Sequence, residues 1–494
     1  MRVDSTLRDR YRTVLSFSGG IFLIAGLFML LPLAAGVGRA AAWGDMAGFL
    51  VPALFLIVLG AVLNVGFRNR DPAPLTAQEG GVIVLFCWIV VCLVSAWPFL
   101  RLPGTGFTGA VFESVSGWTT TGLSVIDLGA TSPMILLWRS LMQLGGGAGF
   151  AIIMLSLMTG PTGAGLSEAE GRGEQLAPHV RKSARLVLEI YAGYAVLGIA
   201  AYAACGLSLA DAVNHAFAAI STGGFSTRPE SIGYWDSAGV EAVSIALMIL
   251  GNLNFLTAYL ILRGRWKAAF RSGELRLAGL LSAAGAVSLF ALVTSGSFGS
   301  LGKSVRTAVF ETVSALTTTG FTTTSYSSWK GFGFLALLGL MIVGGGAYST
   351  AGGLKQARIF LLGKSLIWEV RRIMLPKSAV VQNYVWRGEE KEYVPADRIA
   401  QVSTLALLYV ITLFLGSLII VAHGFGLEDS LFEMTSALST VGLSAGVTSA
   451  SAPAAVLWTE IAGMFLGRLE FLIVFATLFK IARDVPGLFR RPGA

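Results

Sequence analysis

The sequence predicts an all-α integral membrane protein in which four tandem helix–pore loop–helix repeats surround one pseudo-fourfold pore and follow an N-terminal two-helix hairpin. The first supporting observation is composition, since 54% of the 494 residues are hydrophobic and 13% are charged. With a mean hydropathy of +0.72, the chain has too little polar surface to be a soluble globule. The second is a short segment ending in Thr-Gly or a close variant that occurs four times, which indicates an internal repeat.

Apolar stretches of membrane-spanning length cover most of the chain. A bilayer span needs about 20 apolar residues, and ten stretches meet this requirement. They are predicted at approximately 14–36, 47–66, 81–100, 134–158, 184–206, 238–262, 275–296, 332–360, 400–422 and 454–481. The first is longer than the apolar region of a signal peptide and lacks a convincing cleavage site, so it is expected to remain as a helix.

The distribution of Lys and Arg predicts the orientation of these spans. If ten helices alternate across the membrane, 28 of the 36 Lys and Arg residues fall on one side. Positive residues accumulate on the cytoplasmic side, so both termini are predicted to be cytoplasmic. The net charge of +8 follows from this topology, and no nucleic-acid partner is needed to explain it. Two polar segments on this side, 159–185 and 363–398, are either solvated loops or contacts for a cytosolic partner.

The repeated segment presents similar residue types in the same order in each copy. Its copies are Phe112–Gly122, Asn214–Gly223, Phe310–Gly320 and Phe432–Gly442. Their closing glycines lie 101, 97 and 122 residues apart, which leaves room in each copy for two membrane helices and a loop. The predicted domains are an N-terminal hairpin at 1–70 and pore repeats 1 to 4 at 71–165, 166–270, 271–375 and 376–494.

Each copy predicts a short helix followed by an unwound turn. A run such as Ala110–Trp118 makes only about two to three turns at 1.5 Å per residue, so it must enter and leave the membrane by the same face. Unwound backbone at membrane depth is tolerated only where protein or a water-filled cavity surrounds it. Four such turns around one axis predict a filter whose backbone carbonyls replace the hydration shell of a cation, with glycine permitting the geometry.

The predicted ion-binding positions are the glycines of the four turns and the small, mostly hydroxylated residues before them. They are Thr120, Thr121, Gly122, Ser221, Thr222, Gly223, Thr318, Thr319, Gly320, Thr440, Val441 and Gly442. None of these turns contains a carboxylate, which favours monovalent cations over divalent ones. K+ is predicted as the transported ion, and no covalently bound cofactor is expected.

An acidic residue precedes three of the closing glycines by nine positions. Glu113, Glu311 and Glu433 are therefore predicted early in their short helices, where the helix dipole stabilises an anion, and Asn214 takes that place in repeat 2. A structural cap or buried hydrogen-bond anchor is one interpretation of these residues. Direct contact with the ion is the other.

Five glycines among ten residues interrupt the third inner helix at Gly344–Gly353. Each Gly in place of Ala costs a helix interior about 1 kcal/mol, so this segment is predicted to be an unwound gating loop below the filter. Gly344, Gly345, Gly346 and Ser349 are its candidate gate residues. Close helix packing through small residues is the alternative.

Arg468 is the other candidate gate residue. It lies within the last inner helix, where a charge facing lipid would cost at least ~2.5 kcal/mol, so it is expected to face the pore or a partner. Its guanidinium could donate to loop carbonyls around 345–349 and repel cations below the filter. A structural ion pair with Glu470 or Glu460 is the alternative.

These features resemble the TrkH, KtrB and HKT superfamily of potassium transporters, and the N-terminal hairpin makes the chain most similar to its bacterial TrkH members. The likeness covers residues 14–482, through the four turns, the glycine-rich break and Gly467-Arg468. Filter positions of the family carry onto Thr121-Gly122, Thr222-Gly223, Thr319-Gly320 and Val441-Gly442. The chain departs from a uniform pattern at Ile220, Gly224 and Val441.

The resemblance implies potassium uptake across the bacterial inner membrane. It also implies a homodimer with one pore per subunit, a cytosolic nucleotide-binding ring of the TrkA type that gates conduction, and a gating role for Arg468. Channel-like conduction and proton-coupled symport both remain open.

Three alternatives compete with a potassium pore. The first is a Na+-conducting or Na+-coupled transporter of the same superfamily. The second is a carrier of organic solutes, but such carriers often use inverted repeats, whereas these repeats share one orientation. The third is an intramembrane enzyme, since Gly442–Gly446 matches a nucleophile-elbow string, but no sheet is predicted to support it. The chain is therefore predicted not to be an enzyme.

Overall fold

The computed structural model describes residues 7–36, 43–68, 75–147, 180–326, 329, 331–376, 382–387 and 390–489. The first helices are α1 Leu7–Phe28, α2 Trp43–Gly66, α3 Ala77–Ser95, α4 Phe107–Trp118, α5 Pro133–Gly147, α6 Val180–Ala204, α7 Leu209–Ile220, α8 Ala238–Asn252, α9 Phe255–Leu262 and α10 Trp266–Arg271. They are followed by α11 Gly273–Leu289, α12 Leu301–Leu316, α13 Phe332–Val343, α14 Gln356–Ile373, β1 Tyr384–Arg387, β2 Glu390–Tyr393, α15 Ala396–Ala422, α16 Leu427–Leu438, α17 Ala454–Leu469 and α18 Phe471–Phe489.

Membrane-length helices dominate this part of the chain, as the composition predicts. Six single helices are long and apolar enough to cross a bilayer, and they contain α1, α2, α3, α6, α11 and α15. The number rises to eight if each of the broken pairs α8–α9 and α17–α18 is counted as one span. The predicted span 332–360 corresponds to α13, an unwound segment and the start of α14. The predicted span 134–158 begins as α5, and its residues after 147 lie outside the described ones.

Two spans predicted as continuous helices, 238–262 and 454–481, are broken. The axes of α8 and α9 differ by 111°, and the Asn254 side chain between them caps α9 by accepting a hydrogen bond from the Leu256 N–H at 2.8 Å. Glu470 separates α17 from α18 and has a φ of +62°, a left-handed conformation that ends a helix. Hydropathy does not register such local caps, so the sequence prediction missed both breaks.

The described residues form two compact units. One contains α1 to α5, α6 as far as Ala192, and α18, and the other contains residues 119–124 and 193–468. The first unit begins with the predicted N-terminal hairpin of α1 and α2. A Cβ on Gly19 would lie 2.7 Å from the Gly60 carbonyl oxygen, and a Cβ on Gly60 would lie 2.7 Å from that of Gly19. Glycine thus lets these helices pack backbone to backbone.

Polar side chains tie α1 to α3 and α18 within the same unit. The Arg10 guanidinium binds the Glu79 carboxylate, with 2.6 Å between Nη2 and Oε2, and the Tyr11 hydroxyl donates to Asp484 at 3.2 Å. Lys480 donates to the same Asp484 carboxylate at 2.7 Å. These contacts satisfy the buried charges at one end of the unit.

The second unit has an apolar core formed by α11, α12, α13 and α16. Phe334 stacks on Phe432 with 4.6 Å between ring centroids. Val441 and Leu443, on either side of Gly442, belong to the same core. Packing therefore fixes the backbone around the fourth repeated turn.

A two-stranded antiparallel sheet lies between α14 and α15. β1 pairs with β2, with Tyr384 opposite Tyr393 and Trp386 opposite Lys391. This small hairpin falls in the polar segment 363–398 and is not part of the predicted all-α fold.

Candidate functional site

Each of the four repeated segments ends its short helix in the same way. The helices α4, α7, α12 and α16 contain 12, 12, 16 and 12 residues, and each is followed by a threonine in the left-handed region. The φ angles are 55° for Thr120, 51° for Thr222, 53° for Thr318 and 51° for Thr440. A β-branched residue rarely adopts this conformation, so its fourfold recurrence defines equivalent positions in the four repeats.

The equivalent glycines follow two residues later and also have positive φ. They are Gly122 at 95°, Gly224 at 71°, Gly320 at 81° and Gly442 at 97°. The prediction that Gly223 closes the second turn is therefore wrong by one residue. Gly223 instead corresponds to Thr319, because the N–H of each bonds the carbonyl five residues earlier, Ala218 at 2.8 Å and Ser314 at 3.0 Å.

The four turns form a closed ring through backbone contacts between successive repeats. A Cβ built on any of the four glycines would lie closer than 3.0 Å to a carbonyl oxygen of the next repeat. The pairs are Gly122 with Gly223, Gly224 with Thr319, Gly320 with Val441, and Gly442 with Thr121. We call residues 120–122, 222–224, 318–320 and 440–442 the turn ring, and all of it lies in the second unit.

Side chains in the turn ring are completely buried, and several of their hydroxyls are already engaged in hydrogen bonds. The threonine before the turn glycine bonds a neighbouring hydroxyl in repeats 1 and 3, where Thr121 lies 2.8 Å from Thr119 and Thr319 lies 2.8 Å from Thr317. Gly223 and Val441 offer no hydroxyl at the equivalent position. At this position the backbone carbonyl is therefore the oxygen that all four repeats share.

The acidic residues of repeats 1, 3 and 4 hold the chain segment that returns from each turn. Glu113 accepts the Val125 N–H at 2.6 Å, Glu311 accepts the Thr323 N–H at 2.8 Å and Glu433 accepts the Ala445 N–H at 2.8 Å. In each case the donor lies twelve residues after the carboxylate and three after the turn glycine. This geometry favours the hydrogen-bond anchor over direct ion contact.

These carboxylates lie at or beyond the middle of their helices and not early in them as predicted, so their hydrogen-bonded partners stabilise them instead of the helix dipole. Each has further local donors. Arg139 Nε lies 3.2 Å from Glu113, the Tyr326 hydroxyl donates to Glu311, and the Ser444 hydroxyl donates to Glu433 at 2.7 Å.

Repeat 2 replaces the carboxylate with His215 and not with Asn214. Counting nine residues back from Gly224 gives His215, whose Nε2 lies 2.9 Å from the Ser226 hydroxyl and whose Nδ1 lies 2.8 Å from the Asp211 carbonyl. The Asn214 amide donates to the Ala210 carbonyl at 2.7 Å. The correct register of the glycine would have identified this anchor from sequence.

On three inner helices, a glycine lies directly against the end of the preceding short helix. A Cβ on Gly146, Gly251 or Gly467 would lie closer than 3.0 Å to the carbonyl oxygen of Trp118, Ile220 or Leu438, respectively. These glycines lie on α5, α8 and α17. They mark equivalent points on three inner helices.

The third inner helix is interrupted at the predicted position. α13 ends at Val343 and α14 begins at Gln356, so residues 344–355 form the unwound segment, which we call the crossing loop. Gly344 and Gly353 have φ angles of 61° and 69°. The Gly345 N–H bonds the Gly352 carbonyl at 3.0 Å, which closes the loop on itself.

The crossing loop contacts three threonines of the turn ring. The Gly352 N–H donates to Thr318 Oγ1 at 2.7 Å, and the Thr222 hydroxyl donates to Thr350 Oγ1 at 3.2 Å. A Cβ on Gly352 would overlap Thr440 Oγ1. The hydroxyls of Thr120 and Thr440 have no hydrogen-bond partner within the described part of the chain.

Other polar groups fix the loop to the surrounding helices. The Gly346 N–H donates to Asn252 Oδ1 at 2.9 Å, the Ser349 hydroxyl donates to the Gly346 carbonyl at 2.6 Å, and the Gln356 amide donates to the Gly344 carbonyl at 3.0 Å. Asn252 is the last residue of α8, so the break in that helix provides an acceptor for the loop.

Arg468 lies in the last turn of α17 and binds the crossing loop. Its Nη1 donates to the Thr350 carbonyl at 2.7 Å, one residue beyond the 345–349 range expected from sequence. Glu460, one of the predicted ion-pair partners, instead accepts the Thr448 hydroxyl at 3.1 Å. Among the described residues, no group of three or more His, Cys, Asp or Glu side chains could hold a metal ion.

Comparisons with known proteins give a consistent answer. The family described as TrkH, cation transport protein, matches residues 48–484. The uncharacterized cation transporter MJ1485 of Methanocaldococcus jannaschii is 30% identical over 94% of this chain and 95% of its own length. The Trk system potassium uptake protein TrkH of Escherichia coli K12 is 30% identical over 94% of this chain and 97% of its own length. The crystal structure of the potassium transporter TrkH from Vibrio parahaemolyticus superimposes with a TM-score of 0.82 at 26% identity, covering 97% of this chain and all of that one.

The register of the second turn can be tested by substituting each glycine with alanine. We expect Gly224→Ala to lower the apparent midpoint of thermal unfolding, because alanine pays about 1–2 kcal/mol in the left-handed region and its Cβ overlaps the Thr319 carbonyl. Gly223→Ala should lower the midpoint less, since Gly223 has no positive φ. The measurement is thermal unfolding of the detergent-solubilised protein, and equal midpoints for the two variants would contradict the assignment.

Proposed function

The chain belongs to the TrkH family of cation transport proteins, and we propose that it is the ion-conducting subunit of a potassium uptake system. Relatives that match almost the whole chain at about 30% identity carry the name Trk system potassium uptake protein. The chain is a multi-pass membrane protein and a transporter, not an enzyme. The observation that carries the proposal is the closed turn ring, which brings equivalent carbonyls from four repeats together.

The proposed filter consists of the backbone of the turn ring. Its residues are the predicted positions except in repeat 2, where 222–224 replace the predicted 221–223. Ser221 therefore leaves the filter, and Gly224 takes the role assigned to Gly223. Carbonyl oxygens can replace the hydration shell of K+ without binding it so tightly that it cannot leave. Turns without any carboxylate favour a monovalent cation, and the four anchors behind them keep the carbonyls in position.

The proposed gate is the crossing loop together with Arg468. The loop bonds Thr222 and Thr318 on one side and Arg468 on the other. A guanidinium close to the ion path also repels cations electrostatically. Conduction then requires the loop to leave these partners.

We extend the proposal to the partners and location that the family resemblance implies. The subunit would function as a homodimer in the bacterial inner membrane, with both termini in the cytoplasm, and a cytosolic nucleotide-binding ring of the TrkA type would regulate it. The asymmetry in Lys and Arg supports the orientation. The exposed aromatics Tyr384, Trp386 and Tyr393 of the β-hairpin offer such a partner a contact surface on the same side.

The proposal is tested by rescue of a potassium-uptake-deficient bacterium at low external K+, with and without the ring protein. Growth rescue by this chain supports potassium uptake, and dependence on the ring supports the partner. Uptake of Na+ in preference to K+ in the same cells would instead support the Na+-conducting alternative. Failure of rescue with correctly inserted protein would contradict the proposed function.

Substitution of one turn glycine should weaken ion selectivity. Gly320→Ala introduces a methyl group against the Val441 carbonyl, so we expect the ring to widen locally and the K+ over Na+ preference to fall by roughly tenfold, equivalent to about 1.4 kcal/mol. Ion competition in reconstituted liposomes measures this preference. Gly339→Ala is the control, because no atom lies within 4 Å of its added Cβ, and equal loss in both variants would rule out a local effect.

Removal of the arginine should favour the conducting state. Arg468→Ala deletes a charge-assisted hydrogen bond to the loop, worth about 1.5–3 kcal/mol, so we expect cation flux to rise about tenfold or more without a change in selectivity. Rb+ flux into liposomes measures this. Arg398→Ala, which removes an exposed arginine paired with Glu392, should leave the flux unchanged, and unaltered flux in Arg468→Ala would remove its gate assignment.

Loss of a single threonine hydroxyl should have a smaller effect in the same direction. Thr318→Val keeps the side-chain shape but removes the acceptor of the Gly352 N–H, a bond worth about 1 kcal/mol, equivalent to roughly a fivefold change in the ratio of closed to open states. Thr404→Val is the control, since its exposed hydroxyl bonds only its own helix. A lower flux in Thr318→Val would contradict the proposed gate.

A further inference from the structure

Repeats 1 and 4 place opposite charges at the same point of their inner helices. Gly146 and Gly467 are equivalent, because each lies against the last carbonyl oxygen of the preceding short helix, that of Trp118 or Leu438. Seven residues before each glycine, repeat 1 has Arg139 and repeat 4 has Glu460. The two positions face their anchoring carboxylates, Glu113 and Glu433.

In repeat 1 this arrangement is electrically balanced. Arg139 Nε lies 3.2 Å from Glu113 Oε2, and the two side chains are only 2% and 0% exposed. A buried carboxylate with a bonded guanidinium carries no uncompensated charge.

In repeat 4 the equivalent pair consists of two acids. Glu433 and Glu460 are both fully buried, and Thr448 connects them. The Thr448 hydroxyl donates to Glu460 Oε2 at 3.1 Å, and the N–H of the same residue donates to Glu433 Oε1 at 2.9 Å. No Lys or Arg in the described ranges forms a salt bridge with either acid.

The two acids differ in the number of hydrogen bonds that their carboxylates receive. Glu433 accepts the N–H groups of Ala445 and Thr448, at 2.8 and 2.9 Å, and the hydroxyl of Ser444 at 2.7 Å. Glu460 Oε1 has no hydrogen-bond partner among the described residues. An ionised carboxylate is thus supported at Glu433 and is unsupported at Glu460.

An ionised Glu460 would be poorly stabilised by its surroundings. The Thr448 hydroxyl carries one hydrogen, which supplies a single hydrogen bond to Glu460 Oε2. A proton on Glu460 removes its charge, so the cluster then carries a single negative charge instead of two adjacent ones.

We infer that Glu433, Thr448 and Glu460 form a binding site for one exchangeable proton, held on Glu460 behind the fourth turn of the ring. Glu433 anchors Ala445 and Thr448 just after that turn. When the proton leaves to solvent, repulsion between the two carboxylates opposes this anchoring. The fourth turn is therefore held firmly while the site is protonated and is loosened when the pH is raised far enough to empty it.

The consequence for transport rests on the proposed function, whereas the proton site itself does not. Cation selectivity should decline at alkaline pH in the wild type. Glu460→Gln, which keeps a neutral side chain of the same shape, should remove this pH dependence. Rb+ and Na+ flux in liposomes across a pH series measures it.

Infrared spectroscopy tests the site independently of transport. We expect the detergent-solubilised wild type at neutral pH to show the C=O band of a buried protonated carboxylic acid, which disappears when the pH is raised. Glu460→Gln should lack this band. Glu428→Gln, which alters an exposed carboxylate of α16, should retain it. Glu460→Met serves as a second variant if the glutamine variant does not fold.

The possible outcomes separate the two proposals. Absence of the band in the wild type, or its persistence in both Glu460 variants, would overturn the proton site. A band that appears only after K+ and Na+ are removed would show that an alkali cation occupies the site, and would also overturn it. A band that depends on Glu460 in a protein that transports no K+ would uphold the site and contradict the proposed function alone.

Discussion

The close approach of a carbonyl oxygen to the glycine of the next repeat is the constraint on which the rest of the site depends. The contact occurs four times and leads from the fourth repeat back to the first, so any side chain at one position would displace the neighbouring turn. The left-handed threonines before each glycine cost free energy. They persist because the helix ends, the returning segments and the ring contacts together fix the backbone.

The sequence predicted the parts of the structure that depend on composition and repetition. Hydropathy identified the membrane helices, the Thr-Gly pattern identified the turns, and five glycines identified the crossing loop. The register of repeat 2 was wrong because Ser221-Thr222-Gly223-Gly224 offers two adjacent glycines, and only their φ angles and contacts distinguish them. The error moved the expected anchor from His215 to Asn214.

The remaining differences come from tertiary hydrogen bonds. The helix breaks near Asn254 and at Glu470 depend on local caps, and apolarity continues through both of them. The partners of Glu113, Glu311 and Glu433 depend on a chain reversal that returns residues twelve positions later to the same helix. Sequence spacing alone could place these acids on short helices, but it could not say which N–H groups they would meet.

The crossing loop is hydrogen-bonded both to the turn ring and to the inner helices. Thr222 and Thr318 bond it from the ring, Asn252 from the end of α8 and Arg468 from α17. A displacement of the ring, of α8 or of α17 is therefore transmitted to the loop through direct hydrogen bonds. The two helix breaks thus lie next to polar groups that bind the loop, Asn252 at the end of α8 and Arg468 near the end of α17.

The different partners of the four anchors carry an evolutionary consequence. Arg139, Ser226, Tyr326 and Thr448 each complement only the anchor of their own repeat, although the turns themselves remain equivalent. A symmetric assembly made from four copies of repeat 4 would place two buried acids in every copy. Because each partner lies in the same repeat as its anchor, the two can diverge together without changing the turns of the other three repeats.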